Sequence, residues 1–119
     1  MKVIVVFMLL ISYATVSNMI HYGYGVNDAF WRVVWWIDEG TIWAEGFSEG
    51  NFDKVKIGMT SDEVLKIVGK PLHDIDNCDE ICIWGYTKQD AGTSDFDQRW
   101  VVFDSKLRVQ EIRKTFYID

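Results

Sequence analysis

The chemistry open to this chain rests on two cysteines, two histidines and one acidic run. A nucleophile needs a histidine poised as base beside a serine or cysteine. His21 lies next to the apolar N-terminal segment, and His73 follows a helix in Pro71-Leu72-His73-Asp74, where an exposed loop is expected. Neither forms such a pair. The run Asp74-Ile75-Asp76-Asn77-Cys78-Asp79-Glu80 has the outline of a calcium loop. Cys78 takes a ligand position in it and Asp79 the place of the obligatory glycine, so the EF-hand reading fails. His73, Asp76, Cys78 and Cys82 offer the imidazole and thiolate donors that suit zinc, but one Cys-x3-Cys with one histidine is a weak signal. A solvated acidic loop is the simpler reading. Gly23-Tyr24-Gly25 neither follows a strand nor opens a helix in the manner of a phosphate-binding loop. The residues point away from an enzyme, and no cofactor is expected.

Those residues sit downstream of an export segment. Met1 and Lys2 precede an unbroken apolar run, Val3 to Ile11, and then the small and polar residues Ser12, Ala14, Thr15, Ser17 and Asn18. This is the form of a signal peptide, with cleavage after Ala14 favoured, and its rival is an uncleaved membrane anchor over residues 1–20. The lone positive charge on the N-terminal side predicts that the remainder is translocated, into the periplasm or cell envelope. No cysteine precedes Cys78, so a lipoprotein acylation site is not expected. In an oxidising compartment an even cysteine count favours a Cys78–Cys82 disulfide over two free, partly buried thiols. The small loop it closes is worth roughly 2 kcal/mol and would pin the entry to the first strand.

Lys plus Arg number 12 against 18 Asp plus Glu, a net charge of −6, which argues against a nucleic-acid partner. The unusual quantity is six Trp in 119 residues. A small domain buries some of them and must present the others at an interface. Many fall in residues 21–50, an aromatic linker and helix. There a flexible Gly23/Gly25 joint precedes a helix capped by Asn27 or Asp28 and ending at Gly40. Its face of Phe30, Val33, Val34 and Ile37 is expected to pack as core, or to lie at a membrane interface or on a partner.

The elements of residues 51–119 are the most legible. Thr60-Ser61-Asp62-Glu63 is a capping box, Met59 and Val64 take the positions of a hydrophobic staple, and Gly69 with Pro71 ends the helix. Three strands follow: Ile81–Lys88, Arg99–Phe103 and Leu107–Ile118, with a polar, exposed loop over Gln89–Asp95. The expected fold is α+β, one or two short helices on a three-stranded antiparallel meander, preceded by the N-terminal helix.

Phe52-Asp53-Lys54-Val55-Lys56-Ile57-Gly58-Met59-Thr60, then Glu63-Val64 and Gly69-Lys70-Pro71, resembles the F-x-x-I-x-x-G-M-T-x-x-E-V … G-x-P opening of the BamE/SmpA/OmlA family. Ile83-Trp84-Gly85-Tyr86, Val101-Val102-Phe103-Asp104 and Arg108-Val109 are similar to its strands, so the likeness runs from about Trp43 to Asp119. The resemblance implies a helical layer on a three-stranded sheet. It also implies a protein that binds proteins, as an accessory in outer-membrane assembly or maintenance. Leu107 stands where family members often carry a turn glycine, so that hairpin is expected to differ locally.

The leading expectation is therefore an exported, non-enzymatic protein-binding module, which an uncleaved N-terminal segment would also tie to a membrane. An exported inhibitor or ligand-binding protein of the same fold is the alternative, and a small metal-binding protein a third. The expected partner surface is Trp84, Tyr86 and Trp100, with Ile81 and Ile83 on the opposite face under Val64, Leu65 and Val68. A covering by the Phe30–Ile37 helix would instead make those aromatics core.

Overall fold

The structure, a computed structural model, describes residues 1–75 and 82–118. Helix α1 runs unbroken from Lys2 to Tyr22 and ends at Gly23, whose φ of 68° lets its amide close on the Met19 carbonyl. Only a residue without Cβ takes that left-handed cap freely. Two residues later Gly25 opens α2, Val26–Val34. Asn18 donates to the Ala29 carbonyl, while Phe7, Leu10 and Ile11 face Val33, Val34 and Trp36. The second helix therefore doubles back along the first.

This helix departs from expectation. It begins two or three residues early, with Gly25 and not Asn27 or Asp28 as cap, and gives way after Trp35 to a short 3-10 turn, Trp36–Asp38. The chain turns there because Gly40 must reach the Asp95 carbonyl at 2.9 Å. Its inward residues are Ala29, fully buried, and Arg32; Phe30, Val34 and Ile37 face outward at 39%, 43% and 81% exposure.

Strand β1 (Thr41–Trp43) and the short helix α3 (Glu49–Phe52) follow, the latter capped by Ser48. Helix α4, Ser61–Val68, has the full capping box, Thr60 Oγ1 accepting from the Glu63 amide and Glu63 returning to the Thr60 amide. A cap of this kind contributes about 1 kcal/mol.

Strands β2 (His73–Ile75), β3 (Cys82–Gly85), β5 (Asp95–Phe103) and β6 (Val109–Ile118) form one antiparallel sheet in the order β2-β3-β5-β6. The expected meander is there as β3, β5 and β6, and His73, expected in a loop, begins an edge strand. Tyr86 divides the expected first strand. Its amide bonds Arg99 and its carbonyl takes the Ala44 amide, so the following β4 (Thr87–Gln89) pairs with β1 instead. The middle strand starts four residues earlier than expected, and Asp95, expected in an exposed loop, is buried.

Core packing follows the alternation of β5. Val101 and Phe103 join Cys82, Tyr86 and Val109 under Phe52, Val55, Val64 and Val68. Cys82 is buried there and is not a free thiol. Its expected partner Cys78, like Ile81 and Asp76, lies outside the described residues. A second small cluster joins Tyr24, Ala29 and Phe116 to Met19 and Tyr22.

The β5–β6 hairpin resolves the matter of Leu107. Its amide closes a turn on the Asp104 carbonyl and its φ is +57°, the conformation a glycine would take. The loop thus keeps the three-residue form, with a bulge beside Phe103, and stores strain in a leucine. Leu107→Gly should stabilise the chain by about 1 kcal/mol, since the left-handed penalty for an L-residue is about 1–2 kcal/mol. A urea midpoint that stays put or falls would show that the Leu107 side chain contributes more than its backbone costs.

Candidate functional site

Aspartate, arginine and tyrosine meet where the helical hairpin joins the sheet. On β5 the odd positions share the core face, so Asp97 and Arg99 point the same way as Val101 and Phe103. Both are fully buried. Charges so placed need partners with good geometry, or the desolvation cost exceeds what their attraction returns.

Asp97 finds Arg32 of α2, which donates from Nε and Nη2 at 3.0 and 3.1 Å in a two-pronged fork. The same guanidinium donates to Tyr22 Oη at 3.0 Å and to Asn18 Oδ1 at 3.3 Å, and lies 4.1 Å over the Tyr22 ring. Thr41 donates to Glu39 and its oxygen accepts the Asp97 amide, tying β1 in. Arg99 forks onto Glu49 of α3, Nε at 3.0 Å and Nη2 at 2.7 Å, and Lys114 adds a second cation to that carboxylate at 3.5 Å.

Tyr24 is the link between the two ion pairs. Its hydroxyl donates to Asp97 at 2.5 Å and accepts from Arg99 Nη1 at 2.8 Å. Burial pushes its ionisation far above the ordinary phenol value, and Asp97 adds to this while Arg99 opposes it. The group stays a neutral O–H donor. Burial is the largest influence on Arg99 and disfavours its charge, but Glu49 and Tyr24 together outweigh it, by hydrogen bonds and by attraction, and hold the guanidinium above its usual value. The cluster is thus a chain of fixed charges that fastens α1, α2, α3 and β1 to β5.

The aromatic residues expected to make one partner surface are divided. Trp84 pairs with Val101 in register, stands edge-on to Phe103 with 4.8 Å between ring centroids and lies against the main core. Tyr86 is fully buried, and its hydroxyl donates to the Gly69 carbonyl at 2.8 Å. Ile83 takes the opposite face, beside Val102. Trp100 alone of the expected three is on that second face. It stands beside Phe96 and Tyr117 over a shallow depression of about 410 Å³ that Lys88 and Arg113 border. Trp100 Nε1 donates to the Thr87 carbonyl at 3.1 Å, which fixes the ring.

A larger apolar groove of about 750 Å³ runs between α1 and α2. The sequence reading did not single out Arg32, Asp97, Arg99 or Tyr24. The signal for the β5 pair was the alternation Asp97-x-Arg99-x-Val101-x-Phe103, which sets two charges on a core face. The sequence matches no known family profile and no characterised protein.

Proposed function

We propose that this chain is an exported, non-enzymatic protein-binding module of the cell envelope, held at a membrane by α1 and acting as an accessory in envelope assembly or maintenance. One observation carries the reading: the long apolar helix is built into the domain. Asn18 and Tyr22 of α1 enter the Arg32–Asp97 cluster, and Met19 packs with the cluster around Phe116. The helix has a mean hydropathy of 2.2 over its best window, of which 6% is buried. An apolar helix so exposed is suited to lipid rather than water. The layer of α3 and α4 on an antiparallel sheet is the arrangement that the BamE/SmpA/OmlA resemblance implies. The Cys78–Cys82 bond belongs to the same proposal as a clamp at the start of β3.

Within this reading the partner surface is the open sheet face around Trp100, Tyr117 and Arg113, since Trp, Tyr and Arg are enriched among binding hot spots. A photo-crosslinking residue placed at Tyr117 in cells should capture one discrete envelope protein, and Trp100→Ala should abolish that product. The same probe at Lys66, exposed on α4, should capture none. Equal labelling from both positions, or labelling indifferent to Trp100, would remove the open face as a binding surface.

A further inference from the structure

We infer that α2 and the turn after it form a second membrane contact, a wedge that seats in lipid beside α1. The inference rests on the reading of α1 as a membrane helix and adds to it the depth at which the domain sits. Length decides the point. At a rise of about 1.5 Å per residue, the part of α1 ahead of Thr15, its first buried residue, is roughly 20 Å long over residues 2–14. A hydrocarbon core is about 30 Å thick, so this free part alone falls short by about 10 Å. The docked turns, Thr15 to Tyr22, must therefore also enter the bilayer, and whatever flanks them enters with them.

What flanks them is α2, and its outer surface is fit for lipid. Phe30, Trp31, Val34, Trp35, Trp36 and Ile37 are exposed by 39–81%. Arg32 reaches the floor of the groove between the helices, where its charge is matched by Asp97 and its remaining donors are taken by Tyr22 and Asn18. Val33, Val34 and Trp36 form one wall of the groove whose other wall is Phe7, Leu10 and Ile11 of α1, so the two helices present a continuous apolar surface. Trp36 stands across the groove from Phe7, Leu10 and Ile11, and Trp31 donates its Nε1–H to Asn27 Oδ1 at 3.1 Å, so the indole rings offer apolar area to acyl chain alongside α1. The occupant of this face is the bilayer itself.

The test is the full chain reconstituted into phosphatidylcholine vesicles whose acyl chains carry bromine at positions spread along their length. The chain should float with the vesicles, and its tryptophan fluorescence should be strongly quenched. Replacing Trp31, Trp35 and Trp36 together by Phe should remove most of that quenching, while Trp84→Phe with Trp100→Phe should leave it. Circular dichroism on the triple variant checks that the exposed substitutions leave the fold intact. Failure to float overturns both the membrane reading of α1 and the wedge. Flotation with quenching that the triple variant retains overturns the wedge alone. Trp31, Trp35 and Trp36 that are open to acrylamide and untouched by bromine would make the face a water-facing surface for a protein, and the wedge would fall.

Discussion

Asp97→Ala should cost about 3–5 kcal/mol of stability, the usual loss when one member of a buried charge pair is removed and the other is left behind. The charge left behind is Arg32, whose side chain is 17% exposed and whose fork on Asp97 supplies its two hydrogen bonds to a carboxylate. Glu39, 3.9 Å away, is too far and too exposed to replace it. Tyr24 would lose the nearer of its two acceptors in the same step and keep the Thr115 carbonyl at 3.3 Å. The consequence should extend beyond a midpoint. Because Arg32 also holds Asn18 and Tyr22, the α1–α2 hairpin should loosen and Gly23-Tyr24-Gly25 should become open to proteolysis well below the unfolding transition. Asp97→Asn keeps an acceptor and should lose less. Joint replacement of Arg32 by Met and Asp97 by Leu should recover much of the loss, since matched apolar groups leave no uncompensated charge behind. Urea unfolding in detergent, followed by near-ultraviolet circular dichroism, measures all three. A midpoint for Asp97→Ala no lower than that of the exposed Glu111→Ala would mean that the cluster does not hold the hairpin to the sheet.

Legibility in the sequence followed the range of the interactions. Helix α4 was readable because its signals are local: Thr60, Glu63 and Gly69 lie within ten positions and each bond closes inside one turn. The meander was readable from its turn residues and apolar runs. The facing of β3 was not, because Cys82, Ile83 and Trp84 are apolar at successive positions and no alternation selects a side. The partner strand selects it: Cys82 lies opposite Phe103 and Trp84 opposite Val101, and one step of parity moves Ile83 to the other face. The ion-pair cluster was unreadable for a different reason. Arg32 and Asp97 are 65 positions apart, Glu49 and Arg99 are 50 apart, and nothing near any of them in the chain announces its partner. A buried charge in a strand pattern is the trace such pairs leave, and on β5 it is left twice.

Tyr86 carries the sharpest consequence of that parity. As part of an open binding face, its replacement by alanine would leave the unfolding midpoint nearly where it is. As the structure has it, the ring lies among Phe47 and Phe52, 6.2 and 6.1 Å between centroids, with no exposed surface. Tyr86→Ala should therefore cost about 3–5 kcal/mol, the range for deleting a buried aromatic and leaving a cavity. Tyr86→Phe isolates the hydroxyl. It fills the same space but strands the Gly69 carbonyl just past the end of α4, and should cost about 1–2 kcal/mol. Trp100→Ala supplies the contrast, because its ring lies on the second face, half-buried beside Phe96, and should cost clearly less than Tyr86→Ala. The three variants rank differently under the two arrangements. A core β3 gives Tyr86→Ala as the most damaging, whereas an open face gives small and similar losses at Tyr86 and Trp100. Denaturant midpoints on the same preparation decide between them. A Tyr86→Ala chain as stable as the Trp100→Ala chain would reverse the facing of the strand and return Tyr86 to the binding surface.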